Sequence, residues 1–81
     1  MTQNNVYKGS LIRIGQTRAV VSEIYSNESI EVVYLNQSGH HVAEDVFLDG
    51  NNWCFSKNTI DATYAEKSPR LQQYISILKG K

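Results

Sequence analysis

The sequence predicts a small, mainly β domain: a five-stranded barrel or strongly bent antiparallel sheet, with one α-helix over about residues 69–79. Three observations carry this. Short runs of β-branched and aromatic residues recur at roughly ten-residue spacing, each ended by turn residues. The strongest run, Ile30 to Leu35, is apolar on both faces except for Glu31 and belongs in the middle of a sheet. Only after Ser68 does the apolar period lengthen: Leu71, Tyr74, Ile75 and Leu78 fall at i, i+3, i+4 and i+7.

Taken in order, Leu11, Ile12 and Ile14 make a first strand, ended by Gly15, and Gly15-Gln16-Thr17-Arg18 reads as a turn. Ala19 to Tyr25 is a second strand. Simple alternation puts Val20 and Ile24 on one face, with Ala19, Val21, Glu23 and Tyr25 on the other. Ser26-Asn27-Glu28-Ser29 turns the chain into the central strand, and Asn36-Gln37-Ser38-Gly39 turns it out again. In the fourth strand, His41 to Leu48, Val42, Val46 and Leu48 share parity with Glu44, and Ala43 and Phe47 with Asp45. Asp49-Gly50-Asn51-Asn52 is a hairpin signal, after which Trp53 and Phe55 point one way and Cys54 the other. The segment 57–67 has no clear period and reads as a connecting loop. Ser68 as cap, Pro69 at the first helical position and Gly80 as stop frame the helix.

Eighty-one residues make one domain. Residues 1–6 read as a flexible N-terminus, 7–56 as the barrel, 57–67 as the loop and 68–81 as the helical segment. A chain of this size buries only about 60–65% of its unfolded surface, so self-association is a natural aid to stability. Eight basic and eight acidic residues leave no formal net charge. That balance argues against a protein held on nucleic acid by counterion release, and against a polybasic membrane binder. No apolar stretch has the length of a signal peptide or membrane span, so a cytoplasmic location is expected. Cys54 is the only cysteine, which excludes an intramolecular disulfide and a thiolate-rich zinc site.

The entry strand Tyr7-Lys8-Gly9-Ser10-Leu11-Ile12-Arg13-Ile14-Gly15, the middle strand Ile30 to Leu35 and the late strand Trp53-Cys54-Phe55 together resemble the SH3-like barrel superfold over about residues 7–60. The whole also looks like the small SH3-like proteins carried on bacterial mobile gene cassettes such as those of integrons. That resemblance implies an accessory protein and not a particular reaction. In size and barrel class the chain is similar to the plasmid-encoded type II dihydrofolate reductases, whose tetramer builds one central pore around a Val-Gln-Ile-Tyr strand motif. Here the nearest match, Glu31-Val32-Val33-Tyr34, keeps only the tyrosine, so the resemblance does not carry the activity over.

Candidate sites are built from the side chains that the strands do not absorb. Tyr7, Tyr25 and Tyr64 stand near turns or loops, where SH3-like domains commonly bind ligands with aromatic side chains, and are the candidate ligand-binding residues. Trp53, Phe55, Phe47 and Tyr34 lie in strongly apolar strands and are expected in the core. Tyr74, Ile75 and Leu78 first serve the chain's own core. Any of them left exposed would form a contact between copies in a homodimer or tetramer. His40 and His41 are adjacent, and neighbours in a strand point to opposite faces, so they are not expected to share a metal. Cys54 reads as a packing residue. Arg13, Arg18, Lys57, Lys67 and Arg70 are dispersed and offset by Glu28, Glu31, Asp61 and Glu66, which fits a solvated surface better than a nucleic-acid groove. No catalytic constellation, metal or cofactor is expected. The function expected is a non-catalytic binding or assembly module for a peptide or partner protein. Its alternatives are an enzyme whose site forms only on oligomerisation and a weak nucleic-acid-binding module.

Overall fold

The computed structural model describes residues 6–55 and 63–80. Five antiparallel strands succeed one another in a meander: β1 Leu11–Ile14, β2 Thr17–Ser26, β3 Ser29–Leu35, β4 His41–Asp49 and β5 Asn52–Phe55. They curl into a half-barrel with β3 in the middle, as its two apolar faces require. A two-residue strand, β6 Thr63–Tyr64, pairs with Val42 and Ala43 of β4, beyond the stretch of β4 that pairs β5. Two short 3-10 turns, Ala65–Lys67 and Pro69–Leu71, lead into the helix α1, Gln72–Leu78. Part of the expected 57–67 loop is therefore ordered structure. Among the described residues no ladder joins β1 to β5, and the curled half-barrel with its C-terminal helix is the fold class the sequence predicts.

The turns explain the register. Ile14 pairs Thr17 and Asp49 pairs Asn52, leaving two-residue loops. Gly15 and Gly50 occupy the first loop positions with φ of 64° each, and among the described residues no non-glycine residue has positive φ. That is the signature of the II′ turn, whose twist matches that of its flanking strands. The first turn is thus shorter than the sequence implied: Thr17 and Arg18 already belong to β2.

Alternation along β2 fails at one point. Val21 pairs Val32 but Glu23 pairs Glu31, so Ser22 is an extra residue, and a second irregularity places Tyr25 between the Ile24–Ile30 and Ser26–Ser29 pairs. A bulge inverts the parity of the residues beyond it. Val20 therefore faces outward with Val33 and Ala43, while Ile24 faces inward with Ile30. Alternation had put Val20 and Ile24 on one face, and the bulge at Ser22 is the reason they part.

Two cores result. Inside the curl, Ile14, Ala19, Val21, Ile30, Val32, Val46 and Trp53 are buried, with Tyr34 and Phe55 packed against them. On the outer face, Val20, Val33 and Ala43 lie beneath Ala65, Leu71, Tyr74, Ile75 and Leu78. Both faces of β3 are core. Leu71 is almost fully buried, a contribution of about 1.5–3 kcal/mol.

The helical run begins at Pro69, as its sequence signals imply, with a 3-10 turn that passes directly into α1. Ser68 makes no side-chain cap, and its carbonyl accepts instead from the Leu71 N–H at 3.1 Å. Gln72 stands at the helix start and donates its side-chain amide to the carbonyls of Ala65, Glu66 and Ser68. At the other end the Gly80 N–H closes on the Ile77 carbonyl at 3.0 Å, as a stop should.

Candidate functional site

The helix covers only half of the outer sheet face. Val20, Val33 and Ala43 lie under it; one step further along the same strands and the same face come Glu23, Glu31 and Asp45. These three carboxylates stand directly opposite one another across β2, β3 and β4. Like charges so placed destabilise a sheet unless they are answered.

Glu31, the middle one, is 9% exposed. The Ser22 hydroxyl, aimed by its bulge, donates to Oε1 at 2.8 Å. Arg70, just before the helix, brings Nη2 to 3.2 and 3.3 Å from the two carboxylate oxygens. Glu23 pairs with Lys8 at 2.9 Å, which lowers the pKa of the acid and raises that of the amine. Asp45 has no cationic partner among the described residues.

Around Asp45 the surface turns aromatic. Phe47 lies two residues beyond it along β4, on the same face, opposite Ser29 on one side and Cys54 on the other. Tyr25, the extra residue of the second irregularity, also borders Asp45. Its pKa is raised by burial and by the negative charges of Glu31 and Asp45. Phe47 is 41% and Tyr25 54% exposed. Phe47 was expected in the core; it is not, because its parity is that of Asp45 and the helix does not reach that far. Cys54 is half-buried on this same face, opposite to Trp53 and Phe55 as expected.

The other expected aromatics lie elsewhere. Tyr7 is exposed in a turn closed by the Ser10 N–H on the Tyr7 carbonyl. Tyr64 stacks on His40 with ring centroids 5.1 Å apart. The two aromatic pairs among the described residues, Tyr34–Phe55 and His40–Tyr64, join none of the three tyrosines to another. So Tyr25 alone of the three sits on the uncovered face with Phe47. Tyr74, Ile75 and Leu78 point into the outer core at 8%, 6% and 9% exposure, which leaves little of them for a contact between copies. Lys57 and Asp61 lie outside the described residues, Arg13 and Arg18 face each other on β1 and β2, and Lys67 is exposed.

The histidines also depart from simple alternation. His40 precedes β4, so the rule does not bind it, and both rings turn to Glu66: His41 Nδ1 at 3.1 Å and His40 Nδ1 at 3.4 Å. The His41 backbone N–H donates to the same carboxylate at 3.0 Å. That bond first, and the two rings after it, lower the Glu66 pKa to about 2. The cluster pins the Ala65–Lys67 turn to the start of β4. Among the described residues no three His, Cys, Asp or Glu side chains could hold a metal ion.

Inside the curl, the Tyr34 hydroxyl donates to Glu44, and the Tyr34 ring leans on Phe55 with centroids 5.1 Å apart. Burial first, and then this bond, raise the Tyr34 pKa. Between the ends of β1 and β5 lies a shallow groove of about 520 Å³, bordered by Arg13, Ile14, Trp53 and Phe55. No helix among the described residues is long and apolar enough to cross a membrane. No protein-family model, curated protein or solved structure matches the chain.

Proposed function

We propose that the chain is a cytoplasmic, non-catalytic binding or assembly module, of the SH3-like kind found on mobile gene cassettes, that recognises a peptide or partner protein. The observation that carries this reading is the uncovered half of the outer sheet face. There Tyr25 and Phe47 lie more than two-fifths exposed, Phe47 opposite Cys54 on β4, which is paired on both sides, and Tyr25 on β2, paired there with β3 alone. Aromatic side chains on a rigid surface offer large contact area at small entropic cost. Ser22 with Glu31, Tyr34 with Glu44, and His40 and His41 with Glu66 are engaged in pairs that brace the fold, which favours recognition over chemistry at those groups.

A library of displayed random peptides, panned on the purified protein, tests the reading. Selected peptides should lose binding to Tyr25→Ser and Phe47→Thr variants that melt like the parent. Peptides that bind these variants undiminished would move the site elsewhere, and a library that yields no binder would remove the peptide reading.

A further inference from the structure

Resting on that reading, we infer that the uncovered face takes a cationic segment of a partner protein, with a Lys or Arg side chain lying over Tyr25 and Phe47 and its charged head on Asp45.

The carboxylate row supplies the first reason. Glu23, Glu31 and Asp45 are opposed across three strands, and the chain answers two of them from its own cations, Lys8 and Arg70. Among the described residues no cation answers Asp45, which stands at the boundary between the acidic row and the aromatic patch with the Tyr25 hydroxyl turned to it. A partner's cation placed there relieves the opposition that the sheet itself sets up.

The second reason is the aromatic frame. Tyr25 and Phe47 present ring surface close to a carboxylate, the arrangement in which a cation gains from both the ring and the acid. Tyr25 stands there because β2 carries an extra residue between Ile24 and Ser26, and an irregularity of this kind re-aims a side chain. Its hydroxyl pKa is raised by burial first, and then by the charges of Glu31 and Asp45 and a hydrogen bond to Asp45.

Other occupants fit less well. A bare metal ion finds no three converging His, Cys, Asp or Glu side chains among the described residues. An anionic partner such as nucleic acid would meet the carboxylate row. A second copy offers Arg13 and Arg18, which face each other at the far end of the same face. The helix and its buried cluster stand between the two charged ends. Two copies cannot lay these faces together, and a hairpin tip of one copy in the patch of the next makes an open chain and not a closed dimer.

Three capped peptides about ten residues long, enough to cross three strands, test the assignment. They alternate Val with Arg, with citrulline (neutral and nearly the same shape) or with Glu. Each is titrated into 15N-labelled protein and monitored by amide shifts. The Arg peptide should move the amides of Tyr25, Glu31, Asp45 and Phe47, and the citrulline peptide should bind about tenfold more weakly. The Glu peptide should not bind. Asp45→Asn should weaken the Arg peptide to the citrulline level. Because that change removes one of the opposed charges, the fold should tolerate it; Tyr25→Leu, which keeps apolar bulk and loses the ring, is the second variant. Equal affinity of the Arg and citrulline peptides at this surface would overturn the cation and leave the binding reading standing. No shift with any peptide would overturn both. A concentration-dependent increase in mass that Asp45→Asn abolishes would make the occupant a second copy and overturn the proposal.

Discussion

The two halves of the outer sheet face differ by one step along each strand. Under the helix stand Val20, Val33 and Ala43, all small and apolar; beyond it stand Glu23, Glu31 and Asp45. The strands are the same and so is the face. The difference is whether α1 lies above. Where it does, small residues let Leu71, Tyr74 and Ile75 approach closely; where it does not, carboxylates and half-exposed rings meet solvent. The two halves are joined by Arg70, which leads into the helix and reaches back over Glu31. A short helix on a wide sheet thus produces a core and a free recognition surface on one face.

The largest test of this contrast removes the helix's anchor. Leu71→Ala should destabilise by about 2–5 kcal/mol, read from the urea midpoint, since Leu71 is 1% exposed. An effect below about 1 kcal/mol would mean the helix does not pack as described. Val32→Ala, in the inner core, should cost about 1–3 kcal/mol without loosening the helix, because Val32 belongs to the other cluster. Loss of helical signal ahead of the main transition in the Leu71 variant alone would sharpen the separation of the two cores.

Removing the link between the halves is a middle-sized test. Arg70→Ala leaves Glu31 with Ser22 as its side-chain donor, and should cost about 1–2 kcal/mol given how exposed the arginine is. A double variant with Glu31→Gln should recover part of that loss; strict additivity would show that the two residues do not act together.

Glu66 gives a pH test. Its folded-state pKa, about 2, lies below the ordinary 4.5, so its contribution is fully present above pH 4.5 and disappears as pH falls through about 2. The stability gap between the parent and Glu66→Gln should therefore narrow within that window. A gap that stays constant across it would mean that the carboxylate is not held by His41 and His40.

The smallest effect on stability belongs to the open half. Phe47→Thr should change the melting free energy by no more than about 0.5–1 kcal/mol, since the ring is already 41% exposed. A much larger loss would place Phe47 in a core and remove it from the recognition surface.

The strand order, the central place of Ile30 to Leu35, the two glycine turns and the helical stripe were all legible in the sequence, because each rests on local periodicity or turn chemistry. The faces of β2 were not. Ser22 looks like any polar strand residue, and nothing local marks it as extra; only pairing with β3 shows the bulge that sends Val20 outward and Ile24 inward. The helical start at Ser68 and Pro69 was legible in position but not in its bonding. The Ser68 hydroxyl caps no N–H, and the Gln72 side-chain amide instead ties the turn by donating to the carbonyls of Ala65, Glu66 and Ser68. In the candidate site, Tyr25 was visible as a strand-end aromatic, and Phe47 was not, although its shared parity with Asp45 was a signal that it faces outward. How far the helix extends over that face is set by tertiary packing, which alternation does not contain. The convergence of His40 and His41 on Glu66 depends on contacts across 25 or more residues and left no local mark.

The most direct test of the divided face is an amide-resolved NMR map of the protein with a library-selected peptide bound. Shifts confined to Glu23 to Tyr25, Ser29 to Glu31, Asp45 to Phe47 and Cys54, with α1 undisturbed, are the result this account predicts. Shifts centred on α1, or on the groove bordered by Arg13 and Trp53, would contradict it.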